Sequence, residues 1–315
     1  MRLSFRTTEA SDLEACVAIN ADRFLYNNEA TARLIRLWGE LLASRCAQSS
    51  VIEDEQRAPA RIVGFGMSMF LNEKFAEELK RQPSPYVARE VLDRWSQGRS
   101  PLLAIEDVRR ANGGQGLTLL GSHYGLAEGL TADEIINMVS YMAQAFVAIH
   151  RGLRVKEILI EALGPFALSR LLADGARLVT DHADFFRTRG IRPPLPEQHP
   201  YLTSSTREDT LGFESSPFGL VFLSYAPPRF HFSPLEQDLL LRALGGQTDE
   251  HLAHTLSLAV ITVKKRWDSI YTRVETVAPN LFPSSKAGQS VGSRGAEKRR
   301  HILNYLREHP EELRP

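Results

Sequence analysis

The chain has only two cysteines in 315 residues, Cys16 and Cys46. Each falls within a helical apolar pattern, so buried free thiols in a reducing compartment are expected, with a redox pair as the less favoured alternative. No apolar run approaches the roughly 18 residues of a membrane span, which excludes a spanning helix. Met1 to Ala10 is polar and charged, without the apolar core of a secretory signal. These absences predict a cytoplasmic protein with no membrane partner. There is also no net charge: 38 Lys and Arg balance 38 Asp and Glu. That excludes a general nucleic-acid coat. No internal repeat or coiled-coil heptad is visible.

The charge balance hides an asymmetry. From Val260 to Arg307 ten Lys and Arg face three Asp and Glu, and the rest of the chain carries the matching deficit. A basic end on an acidic body suits a local contact with a polyanion. The apolar content of 43% suffices for a sizeable core, and the length suits two domains.

The sharpest periodicity lies between Phe232 and Val274. Apolar residues recur at helical intervals in three sets: Leu239, Leu240, Ala243 and Leu244; Leu252, Ala253 and Leu256; and Val260, Val263, Trp267, Ile270, Tyr271 and Val274. Gly245-Gly246 can end the first helix. Thr248 or Asp249 can cap the second, with Asp249 and Glu250 at the positive end of its dipole. On the third, Val263, Trp267, Ile270 and Val274 share one side, while Ile261, Thr262, Lys265, Ser269 and Thr272 lie opposite and Lys264 and Arg266 flank them. Small polar residues with flanking cations suit a major groove; an ordinary amphipathic helix with a solvated basic face has the same pattern.

This segment resembles the LuxR/FixJ-type helix-turn-helix domain over roughly 43 of the 315 residues. Ser233-Pro234-Leu235-Glu236 looks like that family's opening, Gly246 to Ala253 like its second helix, and Thr262-Val263-Lys264 with Ile270-Tyr271 and Val274 like its recognition helix. The departures are Ala259 where an N-cap serine is usual, apolar Val260-Ile261, Asp268-Ser269 in place of an Asn pattern, and Trp267 in place of a smaller residue. Pro279, Pro283 and a Ser/Gly-rich stretch from Ser284 to Ser293 stand where a dimerisation helix should follow. The resemblance implies a DNA-binding transcriptional regulator acting as a homodimer on double-stranded DNA. Lys264 carries over as a DNA contact, and Thr262, Lys265, Arg266 and Ser269 are the accompanying DNA-binding candidates. Arg294 to Leu306 is a last helix, either docked on the domain or adding phosphate or dimer contacts.

The first two-thirds alternates strands and helices. Strands are expected at Leu3–Arg6, Val51–Asp54, Ile62–Leu71, Leu102–Ile105, Leu117–Leu120, Glu157–Ala162, Arg177–Thr180 and Gly219–Tyr225. Helices are expected from the caps at Thr8–Glu14 through Ile19, then at Thr31–Cys46, Tyr86–Trp95, Asp133–Arg151 and Pro165–Ala173. On the fourth helix Ile135, Ile136, Val139, Met142, Phe146 and Ile149 should face inward. Glu55 to Ala60 is a polar turn, Arg192 to Pro200 a loop, and Ala226 to Arg229 the interdomain link.

That order resembles the GNAT N-acyltransferase fold over about 220 residues. Leu3 to Ile19 with Asp12 matches its first strand and helix, Val51 to Leu71 with Ile62-Val63-Gly64-Phe65 its hairpin, and Asp133 to Leu172 its central elements. The fold class is thus an α/β (α+β) GNAT-like mixed sheet with flanking helices, residues 1–226. A small all-α helix-turn-helix domain follows at 230–278, with a linker and basic helix at 279–315. The family's Gln/Arg-x-x-Gly-x-Gly/Ala diphosphate loop is missing before Asp133: Tyr124 to Gly129 has glycines without the Gln or Arg, and Asn112 to Gly116 reads as a turn. The N-terminal region is therefore read as a non-catalytic relative that senses a small molecule or a protein signal, with no cofactor required. The alternative is an acyl-CoA-dependent N-acyltransferase with an appended helix-turn-helix domain, and a third reading is an interaction module that has lost DNA binding. His123, Tyr124 and Glu128 are candidates for lining a pocket. His182 and Asp184 could form an acid–base pair but read better as an exposed loop pair. His251 and His254 have metal-ligand spacing without a third ligand, so no metal site is expected.

Overall fold

A computed structural model describes residues 1–20, 28–56, 61–282 and 291–314. The chain divides into two compact units, Met1–Tyr225 and Ala226–Pro315. The greater part of the turn expected at Glu55–Ala60 and of the Ser/Gly-rich stretch lies outside the described residues.

Unit 1 is built on a seven-stranded mixed sheet in the order β1-β2-β3-β4-β5-β7-β6. The strands are β1 (Leu3–Thr7), β2 (Ala47–Asp54), β3 (Arg61–Leu71), β4 (Leu117–Leu126), β5 (Val155–Leu163), β6 (Arg177–Asp181) and β7 (Pro200–Thr206). Neighbours from β1 to β4 are antiparallel, β4 and β5 are parallel, and β7 pairs antiparallel with both β5 and β6. Its helices are α1 (Leu13–Asn20), α2 (Asn28–Ala43), α3 (Glu73–Arg81), α4 (Val87–Ser96), α5 (Ile105–Gly113), α6 (Ala132–His150), α7 (Gly164–Ala173), α8 (Ala183–Thr188) and α9 (Pro217–Leu223). One face of the sheet packs Phe65, Met67, Met69, Leu120 and Leu159 against α1 to α4, with Trp38 fully buried among them. The other packs Phe70, Leu119 and Ile158 against α5, α6 and α9. Helices on both faces explain why β3 is buried almost throughout and reads as a continuous apolar run.

The first helix is tied to the edge strand by charge. Arg6 on β1 donates to both carboxylate oxygens of Asp12 at 2.7 and 2.9 Å and to Glu53 at 2.8 Å. Asp12 also accepts from the Glu9 amide at 2.7 Å. The Arg6 hydrogen bonds hold the Asp12 carboxyl below its usual range.

Several local expectations are corrected. Gly219–Tyr225 is not a strand: α9 starts two residues earlier, because Ser216 caps the Gly219 amide at 3.2 Å and Pro217 sits in the first turn. Of Leu102–Ile105 only Leu102 pairs, with Leu71; Ile105, followed by Glu106 and Asp107, opens α5. Strand β7, unmarked in the sequence reading, is polar, and its hydroxyls find partners inside the sheet: Thr203 donates to the Ile160 carbonyl at 3.0 Å and Ser204 to Glu157 at 2.9 Å. On α6, Ile136 faces solvent and Met138 is buried in its stead. Cys16 and Cys46 are buried free thiols, and burial pushes the Cys16 thiol up to about 12.

Unit 2 consists of α10 (Pro234–Leu244), α11 (Asp249–Thr255), α12 (Val260–Val277) and α13 (Val291–Glu308), with short 3₁₀ turns at Pro279–Leu281 and Pro310–Leu313. Ser233 and Glu236 form a reciprocal capping box on α10, and Thr248 caps α11. Gly246, at φ +82, turns the chain out of α10. Helix α12 begins at Ala259 with no side-chain cap; Ser257 instead sits in the left-handed region at φ 53. Val263, Trp267, Ile270 and Val274 pack with Leu239, Leu240 and Leu252, and α13 adds Ile302 and Leu306 to the same core.

Candidate functional site

The ladder between the two parallel strands is short. Pairing of β4 with β5 runs from Leu117↔Val155 to Gly121↔Ile160 and stops there, while β4 continues to Leu126 and β5 to Leu163. The strands part beyond Gly121 and Ile160. A cavity of about 360 Å³ lies at the parting, floored by β4 and β5 and walled by α6, α7 and the start of α9. Its lining is mostly apolar, with Val139, Met142, Phe146, Ile160, Phe166 and Phe218 prominent. An apolar cleft with a few polar groups is the usual form of a small-ligand site.

A bulge in β4 sets the directions of two of the polar lining residues, His123 and Tyr124. Phe65 pairs with Gly125 but Met67 pairs with Ser122, so His123 and Tyr124 together oppose Gly66. The extra residue is accommodated by His123 at φ 57, a conformation that costs a non-glycine residue free energy and re-aims its neighbours. His123 is buried, its Nδ1 is 2.8 Å from Ser122 Oγ, and its ring stands edge-on to Trp38 at 4.7 Å. Burial drives its pKa down to about 3, so it stays neutral.

Tyr124 turns to the opposite face. Its hydroxyl is 2.9 Å from Ser68 Oγ, and its ring lies edge-on to Phe146. Two glycines make room for it. A Cβ on Gly66 would come within 2.3 Å of the Tyr124 ring, and one on Gly121 would meet Ile160 at 2.9 Å and Tyr124 at 3.2 Å. Burial raises the Tyr124 phenol well above its ordinary value, so it keeps its proton.

Glu161 lies on β5 just beyond its last pair with β4, opposite Leu202 of β7, and lines the cavity. It accepts from the Tyr86 amide at 2.6 Å and from the Val87 amide at 3.1 and 3.2 Å, at the start of α4. Burial nonetheless dominates and pushes its pKa up to about 7, against those amide hydrogen bonds. The lining therefore includes a phenol that keeps its proton, Tyr124, and a carboxyl raised to about 7, Glu161. At the rim stand Arg170 and Asp174, and burial raises the Asp174 carboxyl.

Of the pocket candidates, His123 and Tyr124 line this cleft and Glu128 is an exposed loop residue outside it. Glu161, Arg170 and Asp174 were missed. A Glu ending the apolar strand Ile158-Leu159-Ile160 was the available signal for Glu161. His182 is buried rather than exposed, and burial lowers its pKa to about 4; Asp184 stays exposed beside Arg187. The pair that forms is His199 with Asp181, at 2.6 Å. His251 and His254 are exposed, and among the described residues no cluster of His, Cys, Asp and Glu could hold a metal ion.

The residues singled out on α12 are placed as follows. Lys264 and Lys265 are exposed, Thr262 and Arg266 are half-buried, and Ser269 donates to Glu236 Oε1 at 3.1 Å. The basic run of α13 is largely tied down: Arg299 pairs with Asp249 at 2.6 Å and lies over the Trp267 ring, and Lys298 bridges to Glu275. The last helix is docked on its own unit. Among the described residues no helix is long and apolar enough to cross a membrane.

No protein-family model and no curated protein matches the chain. Solved structures do. The C-terminal condensation domain of Ebony, in complex with beta-alanyl-dopamine, is 14% identical, covers 65% of this chain and 99% of its own, and has a TM-score of 0.41. A spermidine N-acetyltransferase from Vibrio cholerae, in complex with CoA and spermine, is 12% identical over 66% of this chain and 96% of its own, with a TM-score of 0.40. FdhC, described as a nucleotide-linked sugar GNAT, is 10% identical over 70% and 94%, with a TM-score of 0.36. The seven-stranded mixed sheet with flanking helices fits the GNAT-like mixed sheet expected of the first two-thirds. The main functional expectation is corrected. These structures are described as a condensation domain, a spermidine N-acetyltransferase and a nucleotide-linked sugar GNAT, and none of them as a LuxR-type DNA-binding regulator.

Proposed function

We propose that unit 1 transfers an acyl group from a thioester to an amine in the cleft between β4 and β5. The observation that carries this reading is the pairing, in one apolar cavity, of Glu161 with a pKa near 7 and Tyr124 with its proton retained. Groups whose environments push their pKa values apart suit acid and base roles in one reaction.

The step follows from those roles. The neutral amine attacks the thioester carbonyl; a C–N bond forms and the C–S bond breaks. Glu161 takes the proton the amine loses, and Tyr124 gives its proton to the departing thiolate. Solvent then returns a proton from Glu161 to Tyr124, so no charge accumulates over a cycle. His123, in the bulge itself, is held neutral by burial and does not exchange protons near pH 7. The apolar walls exclude water, which limits hydrolysis of the thioester.

The apolar lining fits an acyl chain and its thioester, but the start of α6, where a diphosphate would need free amides, does not fit that group. Thr131 and Glu134 cap each other there, and Asp133 adds a second carboxylate.

Thiol release from acetyl thioesters, followed with a chromogenic thiol reagent in the presence of butylamine, tyramine or lysine methyl ester, tests the proposal. Turnover is expected with at least one amine, and Glu161→Gln should lower kcat by about a hundredfold or more with little change in KM. Absence of thiol release above the uncatalysed rate with every amine would overturn it.

A further inference from the structure

We infer that the acyl donor is a nucleotide-free thioester, recognised by its acyl group and short thiol arm and not by a diphosphate. This rests on the acyl-transfer reading and names its substrate class. The start of α6 is where the sheet presents a helix N-terminus beside the cleft, the natural position for a bound anion. Here it is occupied from within. Glu134 Oε2 accepts from the Thr131 amide at 2.9 Å and from the Thr131 hydroxyl at 3.0 Å, and the Glu134 amide donates back to Thr131 Oγ1 at 3.3 Å. The Thr131 hydrogen bonds hold the Glu134 carboxyl below its usual range, so it stays charged. The Met1 amino group favours the same charged form, and Asp54 opposes it.

The second observation is independent of the cap. From Ala111 to His150, through the whole of β4, the following loop and α6, the chain has no Lys or Arg. The loop and first turn supply three carboxylates instead, on Glu128, Asp133 and Glu134. A diphosphate would meet like charge where it needs cations and amides. The cation in the cleft lining is Arg170 on α7, which already acts on Asp174. The cavity itself remains apolar and, at about 360 Å³, has room for one slender ligand.

The full chain should be assayed with acetyl-CoA and with S-acetylpantetheine, which share the reacting arm and differ in the nucleotide and diphosphate, using the best amine from the assay above. A calorimetric titration with adenosine 3′,5′-bisphosphate should accompany it. The expected results are a kcat/KM for S-acetylpantetheine at least equal to that for acetyl-CoA, and no binding of the nucleotide at about 1 mM. Asp133→Asn combined with Glu134→Gln should raise kcat/KM for acetyl-CoA by about threefold to tenfold and leave S-acetylpantetheine unchanged. A tenfold or larger preference for acetyl-CoA, or nucleotide binding in the micromolar range, overturns the inference while leaving acyl transfer intact. If neither thioester is consumed, the acyl-transfer reading fails and the inference falls with it.

Discussion

The cleft of unit 1 and the core of unit 2 both set a few ionisable groups among apolar side chains, and they use them in opposite ways. In unit 2 the groups are spent on internal partners. Glu236 closes the cap of α10 and accepts from Ser269, Glu312 accepts from the Arg229 and Phe230 amides, and Arg299 is shared between Asp249, the Gln247 carbonyl and the Trp267 ring. In the cleft, Glu161 and Tyr124 have structural partners but also border a cavity. Polar groups bonded to internal partners hold a fold together, whereas ionisable groups lining an apolar cavity can exchange protons with what enters it. The difference separates a structural network from a candidate site more sharply than residue type does.

The largest effect that would sharpen this contrast is in unit 2. Trp267→Ala should destabilise that unit by about 3–5 kcal/mol, since the indole is buried in its centre and carries Arg299 on its face. Denaturant unfolding followed by circular dichroism measures this, and a loss below about 1 kcal/mol would mean that the core is not organised around Trp267. In the cleft, Gly66→Val should cost activity before stability. The new side chain collides with the Tyr124 ring, so kcat should fall by about a hundredfold, matched by Tyr124→Phe in a well-folded protein. An active Gly66→Val protein would break the link between the bulge and function.

A smaller effect is the pH dependence. The Glu161 carboxyl is raised, so its base form appears as pH climbs through about 7 and the rate should rise over that window. The same shift has the opposite sign for stability: the folded state favours the protonated form, so this residue's contribution falls as pH rises from the ordinary carboxylate range to about 7. Glu161→Gln should remove both dependences; a pH–rate profile unchanged in that variant would exclude Glu161 as the base. The smallest is at Cys16, whose buried thiol should react with a disulfide reagent only on unfolding. Fast labelling of the native protein would show that the face packed on α1 opens readily.

The legibility of the two regions runs against their use. Helix α12 was readable because a narrow apolar stripe at Val263, Trp267, Ile270 and Val274 dictates burial directly. Its polar face suggested a partner surface, yet Ser269 turned out to serve Glu236, a residue 33 positions away. In unit 1 the alternation of strands and helices gave the sheet in outline, apart from β7, whose Ser and Thr hydroxyls hide a strand paired on both sides. Glu161 was not singled out, since Glu157 flanks the other end of the same apolar run, Ile158-Leu159-Ile160. Glu157 is instead engaged by Lys80 at 3.1 Å and by Ser204.

The sequence by itself determined the period of each helix, the burial of β3 and the caps at Ser233, Thr248 and Thr131, because these depend on residues a few positions apart. It also determined that no Lys or Arg falls between Ala111 and His150. Tertiary structure alone decided that β4 and β5 part after Gly121 and Ile160, that one extra residue opposite Gly66 turns Tyr124 to one face and His123 to the other, and that Glu161 meets the start of α4. Those facts arise from strand pairings and packing between residues tens of positions apart. The free energy that raises a carboxyl to about 7 is a property of that enclosure and not of the residue.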